Sequence, residues 1–487
     1  MKKRLGHLLA PVLILALSIA APAGRAASAG EDPLLGKWFG QSGPPEDRIE
    51  TGFEFRRGDK GVIEAFLYRP VMNTYGAPMG AVTRDGEKYV IAGAGASAIL
   101  RDGALEVSRG GKVVFTLSRA TELPAEGAVP TLPVGPAPRW RVKVGGPIYA
   151  APAVRDGMIY VGTTGGVMNA MKLEDGSFVW GFPAGRPIYG EALTTPEAVF
   201  FVCDNGFLFK VDRATGKEVW RYDLGDAQVP RITQILHVYG YEWQTPRPTL
   251  QDGIVYVGSG DGSFHAVDAA SGKRSWRFAA KGMVRDTALV DGPRVVFGTM
   301  DGILYALDRA TGKEIWEKNL EMSVTSSPSR IGDRLVVGTR ASGLHALAPE
   351  TGEELWKRSF WGSWVESTAV PFGDFFYIGS SDLRRVTGYD REGRILWRTD
   401  VFGSPWGRPA VTEKRVYIGA EGNSPYPVRN LGSFCALDRA TGRIVWRWVS
   451  PDLPGVVQTG FVGGPALAGD LVVVAGLDGS LSAFPAE

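Results

Sequence analysis

The chain has 487 residues, of which 44% are hydrophobic, and its 54 basic residues nearly balance 52 acidic ones, for a formal net charge of +2. This length exceeds one ordinary domain, and the balanced charge argues against a nucleic-acid partner, which a strongly basic surface would attract. The 14 Trp and 22 Phe exclude a disordered chain, whereas 65 Gly and 32 Pro favour many short strands joined by tight turns.

The N-terminus has the features of an export signal. The basic stretch MKKR precedes the short apolar run LLAPVLILALSIA, and small residues after it offer cleavage after Ala23, Ala26 or Ala29. These features predict a signal peptide over residues 1–29 and a periplasmic or secreted mature protein. The alternative, a retained membrane anchor, is less favoured because the run is short and contains Pro11. No later run is apolar enough to predict a transmembrane segment in the mature protein.

Residues 30–123 alternate apolar and polar side chains in short runs such as GKWFG, ETGFEFRR and VVFTLSR, separated by DG and GG turns. This pattern predicts a small β-sheet or barrel domain, and the region resembles the lipocalin-like accessory modules of some exported enzymes. Residues 124–137, PAEGAVPTLPVGPA, predict a semi-rigid linker because repeated Pro favours an extended backbone.

The rest of the chain, residues 138–487, repeats one short motif. The stretches ALDRATGKEIW (306–316) and ALDRATGRIVW (436–446) are nearly identical, and related copies end at other tryptophans. These marker residues are Trp140, Trp180, Trp220, Trp276, Trp316, Trp356, Trp397 and Trp446. Successive markers are 40, 40, 56, 40, 40, 41 and 49 residues apart, which indicates a repeat architecture.

Each repeat contains short runs rich in Val, Ile, Tyr and Phe. In one repeat we expect strand A at 325–330, strand B at 334–339, strand C at 343–348 and strand D at 353–358. Four antiparallel strands in about 40 residues are typical of a β-propeller blade. In the repeated D-x-x-T-G we expect Asp to accept backbone hydrogen bonds and Gly to adopt a positive φ. The marker tryptophans then lie between adjacent blades, so their predicted role is structural.

The two ends of the repeat region predict how the ring closes. The first marker, in PRWRVKV (138–144), precedes any strand A, B or C, whereas the last repeat, LVVVAG to SLSAF, lacks a marker strand. The N-terminal strand should therefore complete the final blade. The predicted fold is all-β: an eight-bladed β-propeller closed by an N-terminal strand and preceded by a small antiparallel β domain.

The repeat pattern A/V-x-D-x-x-T-G-x-x-x-W resembles that of the quinoprotein-like (PQQ-repeat) β-propeller family over residues 138–487. The family's pyrroloquinoline-quinone dehydrogenases have an adjacent Cys-Cys pair, which has no match here because Cys203 and Cys435 are far apart. Their calcium-binding carboxylate and amide set cannot be identified either. The BamB-like non-catalytic members, which act in outer-membrane protein assembly, are the closer match, although this chain lacks their lipidated Cys and has an extra N-terminal domain. The two cysteines lie in apolar strand contexts, so we expect buried free thiols.

Antiparallel alternation places the B–C and D–A connections on one side of the ring, the loop face, and the A–B and C–D turns on the other, the turn face. Two long insertions, 225–248 and 420–433, and the connections at 359–367 and 402–409 all belong to the loop face. Their aromatic residues and arginine are typical of recognition surfaces. The predicted partner-binding residues are Tyr239, Tyr241, Trp243, Trp361, Trp364, Trp406, Tyr426 and Arg429. Alternatively, these loops plug the channel mouth and bury their own aromatic residues.

The starts of the A strands should line the central channel. They contribute the charged residues Glu191, Arg247, Arg285, Asp286, Glu366 and Arg408. Of these, Arg247, Arg285 and Arg408 form a candidate anion site, which could hold a polycarboxylate through bidentate pairs. The alternative interpretation is that the channel charges are solvated or paired with one another.

Other chemistry is sparse. His237, His265 and His345 lack the spacing of a metal site, so we expect no metal, and no residue is predicted to be catalytic. The predicted function is an exported scaffold that binds an envelope protein or a small ligand at the loop face, as a monomer and without a cofactor. The alternative is a periplasmic pyrroloquinoline-quinone-dependent dehydrogenase with an atypical site, which would need the quinone (PQQ) and calcium.

Overall fold

A computed structural model describes residues 31–42, 49–59, 61–72, 74–125, 131–227, 229, 246–340, 343–360, 363–423, 431–451 and 458–486. Within these residues the chain forms β-strands and two short 3-10 turns, Pro70–Met72 and Ala92–Ala94, and no α-helix. The strands divide into two compact units, an N-terminal barrel and a propeller. The all-β prediction is therefore confirmed. The predicted signal peptide lies outside the described residues.

The N-terminal unit is a closed antiparallel barrel of eight strands. They are Gly36–Ser42, Ile49–Arg57, Ile63–Arg69, Thr74–Asp85, Lys88–Ile91, Ala96–Arg101, Ala104–Arg109 and Lys112–Ala120. The first strand pairs with the eighth, with Trp38 opposite Arg119, so the barrel has no open edge. Alternate side chains point inward, and Trp38, Phe53, Phe55 and Leu117 are buried in the core. The interior is therefore filled by side chains.

The second unit is a propeller of eight antiparallel blades, each with strands A to D in that order. Blade 1 comprises Ala153–Arg155, Met158–Gly162, Val167–Lys172 and Phe178–Pro183; blade 2 comprises Leu193–Thr194, Ala198–Cys203, Phe207–Asp212 and Glu218–Asp223. Blade 3 comprises Thr249–Gln251, Ile254–Gly258, Ser263–Asp268 and Arg274–Ala279; blade 4 comprises Leu289–Asp291, Arg294–Gly298, Ile303–Asp308 and Glu314–Asn319. Blade 5 comprises Ser329–Ile331, Arg334–Gly338, Gly343–Leu347 and Glu354–Ser359; blade 6 comprises Val370–Phe372, Phe375–Ser380, Arg385–Asp390 and Ile395–Asp400. Blade 7 comprises Ala410–Val411, Arg415–Asn423, Ser433–Asp438 and Ile444–Val449; blade 8 comprises Ala466–Ala468, Leu471–Ala475, Ser480–Pro485 and Trp140–Lys143.

Blade 8 joins the two ends of the repeat region. Its strand D is Trp140–Lys143, which pairs with strand C from Ser480↔Lys143 to Ala483↔Trp140. This pairing confirms the prediction that an N-terminal strand closes an eight-bladed ring. The strand is held by main-chain hydrogen bonds and by Arg141 and Lys143, which both form ion pairs with Asp478.

The marker tryptophans connect neighbouring blades. In six blades the indole Nε1 donates a hydrogen bond of 2.9–3.2 Å to a main-chain carbonyl of the next blade, always at the residue after the Asp position of the motif. Trp316, for example, bonds to the carbonyl of Pro349. Trp356 differs: the equivalent carbonyl, that of Arg391, accepts a hydrogen bond from Arg334. Its Nε1 has no hydrogen-bond partner within the described residues.

The glycine of each motif lies directly on a tryptophan of the preceding blade. Gly312 has a φ of +71°, and a Cβ at this position would lie 2.6 Å from the ring of Trp276. A Cβ at Gly442 would likewise lie 2.4 Å from the ring of Trp397. The Asp of the motif completes the turn, since Oδ1 of Asp308 accepts hydrogen bonds from the main chain and hydroxyl of Thr311. The motif therefore joins blades through its Trp and Gly together.

The A strands are shorter than the sequence predicts. In blade 5 strand A covers only Ser329–Ile331, not 325–330. The preceding residues instead bond to the neighbouring blade: the Ser326 hydroxyl donates to the carbonyl of Ser367, and the Ser367 hydroxyl donates to that of Gly407. Because the blades converge near the axis, hydrogen bonds between blades replace part of the ladder within the blade.

Candidate functional site

The loop face is extended at blade 7. Strand B of this blade, Arg415–Asn423, has nine residues, whereas the other B strands have five or six. Its last three residues pair with a further short strand, Gln458–Gly460. This pairing adds a fifth strand to blade 7. We call these two paired segments, Glu421–Asn423 and Gln458–Gly460, the blade 7 extension.

Two tryptophans support the base of this extension. The rings of Trp364 and Trp406 meet edge to face with their centroids 6.1 Å apart. Nε1 of Trp406 donates a hydrogen bond to the carboxylate of Glu421, and the guanidinium carbon of Arg340 lies 4.3 Å from the ring centroid of Trp364. Trp406 is only 6% exposed. It therefore supports the loop face from within, as in the alternative interpretation of these aromatic residues.

Six further residues were predicted to contact a partner. Tyr239, Tyr241, Trp243, Trp361, Tyr426 and Arg429 lie outside the described residues.

Buried carboxyl groups lie beneath the loop face. The pKa of Glu421 is raised to about 7, mainly by burial. The nearby charge of Glu366 contributes to this rise, whereas hydrogen bonds with Trp406 and Gln458 oppose it. Burial also raises the pKa of Asp382, which accepts hydrogen bonds from the main chain of Trp364 and the hydroxyl of Ser381. Both carboxyl groups therefore favour the neutral form more than an exposed carboxyl would.

Glu421, Asp382 and Arg340 were not predicted from the sequence as residues of this face. Each follows the apolar run of a B strand, in YIGAE, YIGSSD and VVGTR respectively. Because every B strand ends at the loop face, a charged residue directly after such a run would have located the base of that face. A search restricted to aromatic residues and A strands could not find it.

The six charged residues predicted for the channel do line one cavity. This cavity has a volume of about 470 Å³, and its wall includes Glu191, Arg247, Arg285, Asp286, Glu366 and Arg408. A second cavity of about 560 Å³ shares Glu191, Arg247 and Arg408 with the first and extends among the A strands toward the turn face. Cavities of this size accommodate small organic ligands.

The three arginines of the candidate anion site do not converge. Nη2 of Arg408 lies 2.9 Å from Oε1 of Glu191, and Nε of Arg247 lies 3.4 Å from the same oxygen. Arg285 lines the same cavity but is buried and forms an ion pair of 2.7 Å with Asp226. The structure therefore places two of the arginines around one carboxylate and pairs the third with an acid that the sequence analysis did not single out.

The remaining channel acids are also engaged. Glu366 is buried, pairs with Arg340 and accepts a hydrogen bond of 3.1 Å from the Thr325 hydroxyl. Asp286 accepts a hydrogen bond of 2.8 Å from the main chain of Gly298, and burial raises its pKa well above the usual range. A buried carboxyl group with a raised pKa is a poor ligand for a cation, because metals bind the deprotonated form.

A calcium-bound quinone would need a set of oxygen ligands at the channel. Calcium takes six to eight oxygen ligands, largely from ionised carboxylates. In the described part of the chain no three His, Cys, Asp or Glu side chains come close enough to share a metal ion. The channel carboxylates are instead paired with arginines or have raised pKa values. His265 and His345 are buried in equivalent C strands, where burial lowers the pKa of His265 to about 4 and that of His345 below its usual value.

The repeats match a known family model. The model described as "Outer membrane protein assembly factor BamB" matches residues 102–209, 204–363 and 340–487. The chain belongs to this PQQ-repeat propeller family. No helix in the described ranges is long and apolar enough to cross a membrane.

Individual relatives of this chain match it over shorter stretches. BamB of Yersinia pestis is 27% identical over 143 residues, which are 28% of this chain and 35% of that protein. The quinohemoprotein alcohol dehydrogenase of Comamonas testosteroni is 29% identical over 148 residues, which are 27% of this chain and 20% of that protein. The chain thus spans about a third or less of the length of these curated relatives.

Solved structures with the same architecture cover most of the propeller. The computationally designed protein Ika8 aligns with a TM-score of 0.57 at 15% identity, over 72% of this chain and 100% of that one. The Comamonas testosteroni quinohemoprotein alcohol dehydrogenase aligns with a TM-score of 0.54 at 15% identity, over 71% of this chain and 75% of that one. At this identity the similarity shows the fold alone.

Proposed function

We propose that this protein is an exported, non-catalytic scaffold of the cell envelope, which binds another envelope protein through its loop face. The family description supports this proposal, since it names outer-membrane protein assembly. The basic and apolar N-terminal sequence supports export to the periplasm. We further propose that the protein acts as a monomer and without a cofactor.

The observation that carries the proposal is the blade 7 extension. Glu421–Asn423 and Gln458–Gly460 pair at the loop-face end of blade 7, and Trp406 and Glu421 hold their base. A binding surface on a rigid support loses less conformational entropy on association than one built on loose loops. In the sequence the insertion at 225–248 is a D–A connection, as are other segments of the loop face, which favours one partner covering several blades.

Site-specific photocrosslinking tests which face meets the partner. A photoreactive residue at Lys281 or Met322 probes the D–A connections of the loop face, because the Lys281 side chain is 70% exposed and Met322 is 39% exposed. The same residue at Asp333 or Asp374 probes the turn face, where both side chains are about 80% exposed. In intact cells we expect one discrete crosslinked protein from the loop-face positions only. Equal crosslinking from both faces, or none from either, would refute the proposal.

The competing function is a quinone-dependent dehydrogenase, because part of the chain also matches an enzyme of that class. Reconstitution with pyrroloquinoline quinone and calcium separates the two. The scaffold proposal expects no stoichiometric quinone binding and no dye-linked oxidation of alcohols or sugars. Turnover that depends on both additions would overturn it.

A further inference from the structure

Three side chains form an ionic cluster that crosses the central channel. Arg408 belongs to the start of blade 7, Glu191 to the start of blade 2 and Arg247 to the start of blade 3. Arg408 and Glu191 are 217 positions apart in sequence, yet their charged atoms are 2.9 Å apart. In an eight-bladed ring, blades 7 and 2 are not neighbours, so this ion pair reaches across the axis.

The cluster has more positive than negative charge. Two guanidinium groups share one oxygen, Oε1 of Glu191. Nε of Arg247 is 3.4 Å from that oxygen but donates no hydrogen bond within the described residues. The other arginines of the channel, Arg285 and Arg340, each have their own acidic partner. Among the ion pairs described in the channel, this cluster is therefore the one that has more positive than negative charge.

The cluster is also accessible from inside the channel. The side chains of Arg247 and Arg408 are 33% and 39% exposed, whereas that of Glu191 is 12% exposed. All three belong to the walls of both channel cavities. A guanidinium has five N–H donors, so each arginine can bind Glu191 and a second anion at once.

The cavity that extends toward the turn face has apolar side chains in its wall besides this charge. Its lining includes Val154, Val370, Pro371, Val411 and Leu467, together with the two arginines. Arg408 lies two residues before strand A of blade 7, Ala410–Val411, so charged groups lie at one end of this cavity and apolar groups beyond them. Its volume of about 560 Å³ is within the range of small-molecule sites.

We propose that Arg247 and Arg408 form a binding site for a small carboxylate with an apolar body, and that Glu191 is a built-in competitor at this site. The ligand carboxylate accepts hydrogen bonds from guanidinium N–H groups that do not bond to Glu191. The carboxylates of the ligand and Glu191 then balance the two arginines. The apolar body occupies the cavity of about 560 Å³. This site differs from the three-arginine site expected from the sequence, since Arg285 takes no part.

The proposal does not depend on a protein partner at the loop face. A chain that fails to bind carboxylates can still crosslink to an envelope protein, and the reverse also holds. The two experiments therefore fail independently.

Calorimetry with 4-phenylbutyrate tests the site, with 4-phenylbutan-1-ol as the neutral control of nearly equal size. We expect the unaltered chain to bind the acid and to bind the alcohol at least about tenfold more weakly, because the alcohol cannot form charge-assisted bonds. Glu191→Gln should bind the acid at least about tenfold more tightly, since a like charge a few ångströms away is removed. Added salt should weaken binding of the acid.

Three further variants locate the site. Arg408→Gln should weaken binding of the acid at least about tenfold. Arg408→Lys keeps the positive charge beside Glu191 but loses the planar fork, so we expect weaker binding in a folded protein. Arg221→Gln is the matched control, because Arg221 has a 57% exposed side chain on an outer strand, and its binding should be unchanged.

Two results would overturn the proposal. One is equal affinity of the unaltered chain for the acid and the alcohol. The other is binding of the acid that Glu191→Gln does not tighten and Arg408→Lys does not weaken. Melting curves of each variant show that it is folded, and the comparison of acid with alcohol on the unaltered chain decides the matter even if a channel variant unfolds.

Discussion

The contact between Gly312 and Trp276 should carry a measurable part of the stability of the ring. An Ala at position 312 would keep a φ of +71° and place Cβ 2.6 Å from the indole. The left-handed conformation costs a non-Gly residue about 1–2 kcal/mol, and overpacking typically costs about 1–3 kcal/mol. Gly312→Ala should therefore lower the free energy of unfolding by about 2–5 kcal/mol, measured by urea denaturation with circular dichroism and fluorescence.

A matched control separates the two contributions. Gly332 lies in the A–B turn of blade 5 with a φ of +60°, and a Cβ there would meet no atom within 4 Å. Gly332→Ala should therefore cost only the backbone contribution of about 1–2 kcal/mol. Replacing Trp276 by Leu in the Gly312→Ala background should remove the excess loss, which completes a double-mutant cycle. Equal losses for Gly312→Ala and Gly332→Ala would refute the reasoning, because the indole would then contribute nothing.

Two other predictions concern single side chains. Trp316→Phe should lower the free energy of unfolding by about 1 kcal/mol more than Trp356→Phe, because only Trp316 gives up a hydrogen bond, and equal losses in urea would contradict this. The pKa of Glu421 rises from 4.5 to about 7 on folding, so its protonated form stabilises the fold below about pH 4.5, and this contribution is lost as pH rises through 7. The pKa shift corresponds to about 3 kcal/mol, so Glu421→Gln should be more stable than the unaltered chain at pH 8 and lose that advantage near pH 5. Urea curves at both pH values check this, and an unchanged pH dependence in Glu421→Gln would show that Glu421 does not titrate on unfolding.

The blade pattern could be predicted because it depends on local sequence. Each D-x-x-T-G turn is completed by contacts three residues apart, as between Asp308 and Thr311, and each strand run is apolar over five or six residues. The missing marker strand of the last repeat showed that Trp140 had to return to blade 8. Repetition made these local signals strong, since seven copies resemble one another.

Strand A and the loop face were less predictable. The residues before Ser329 have a sequence that favours a strand, but the Ser326 hydroxyl bonds to the next blade. A pattern within one repeat cannot predict a hydrogen bond to another repeat. Trp406 was predicted to contact a partner because aromatic residues in loops favour recognition. It is buried instead, and its indole donates to Glu421, at the far end of strand B of blade 7.

The sequence by itself determined the all-β class, the number of blades, the closure of the ring and the structural role of the marker tryptophans, because each follows from spacings within or between adjacent repeats. Only the tertiary structure decided how the channel charges pair. Glu191 meets Arg247 and Arg408, whereas Arg285 turns to Asp226. These partners come from blades or connections that only the curvature of the closed ring brings within hydrogen-bonding distance, and periodicity along the chain contains no information about contacts across the axis.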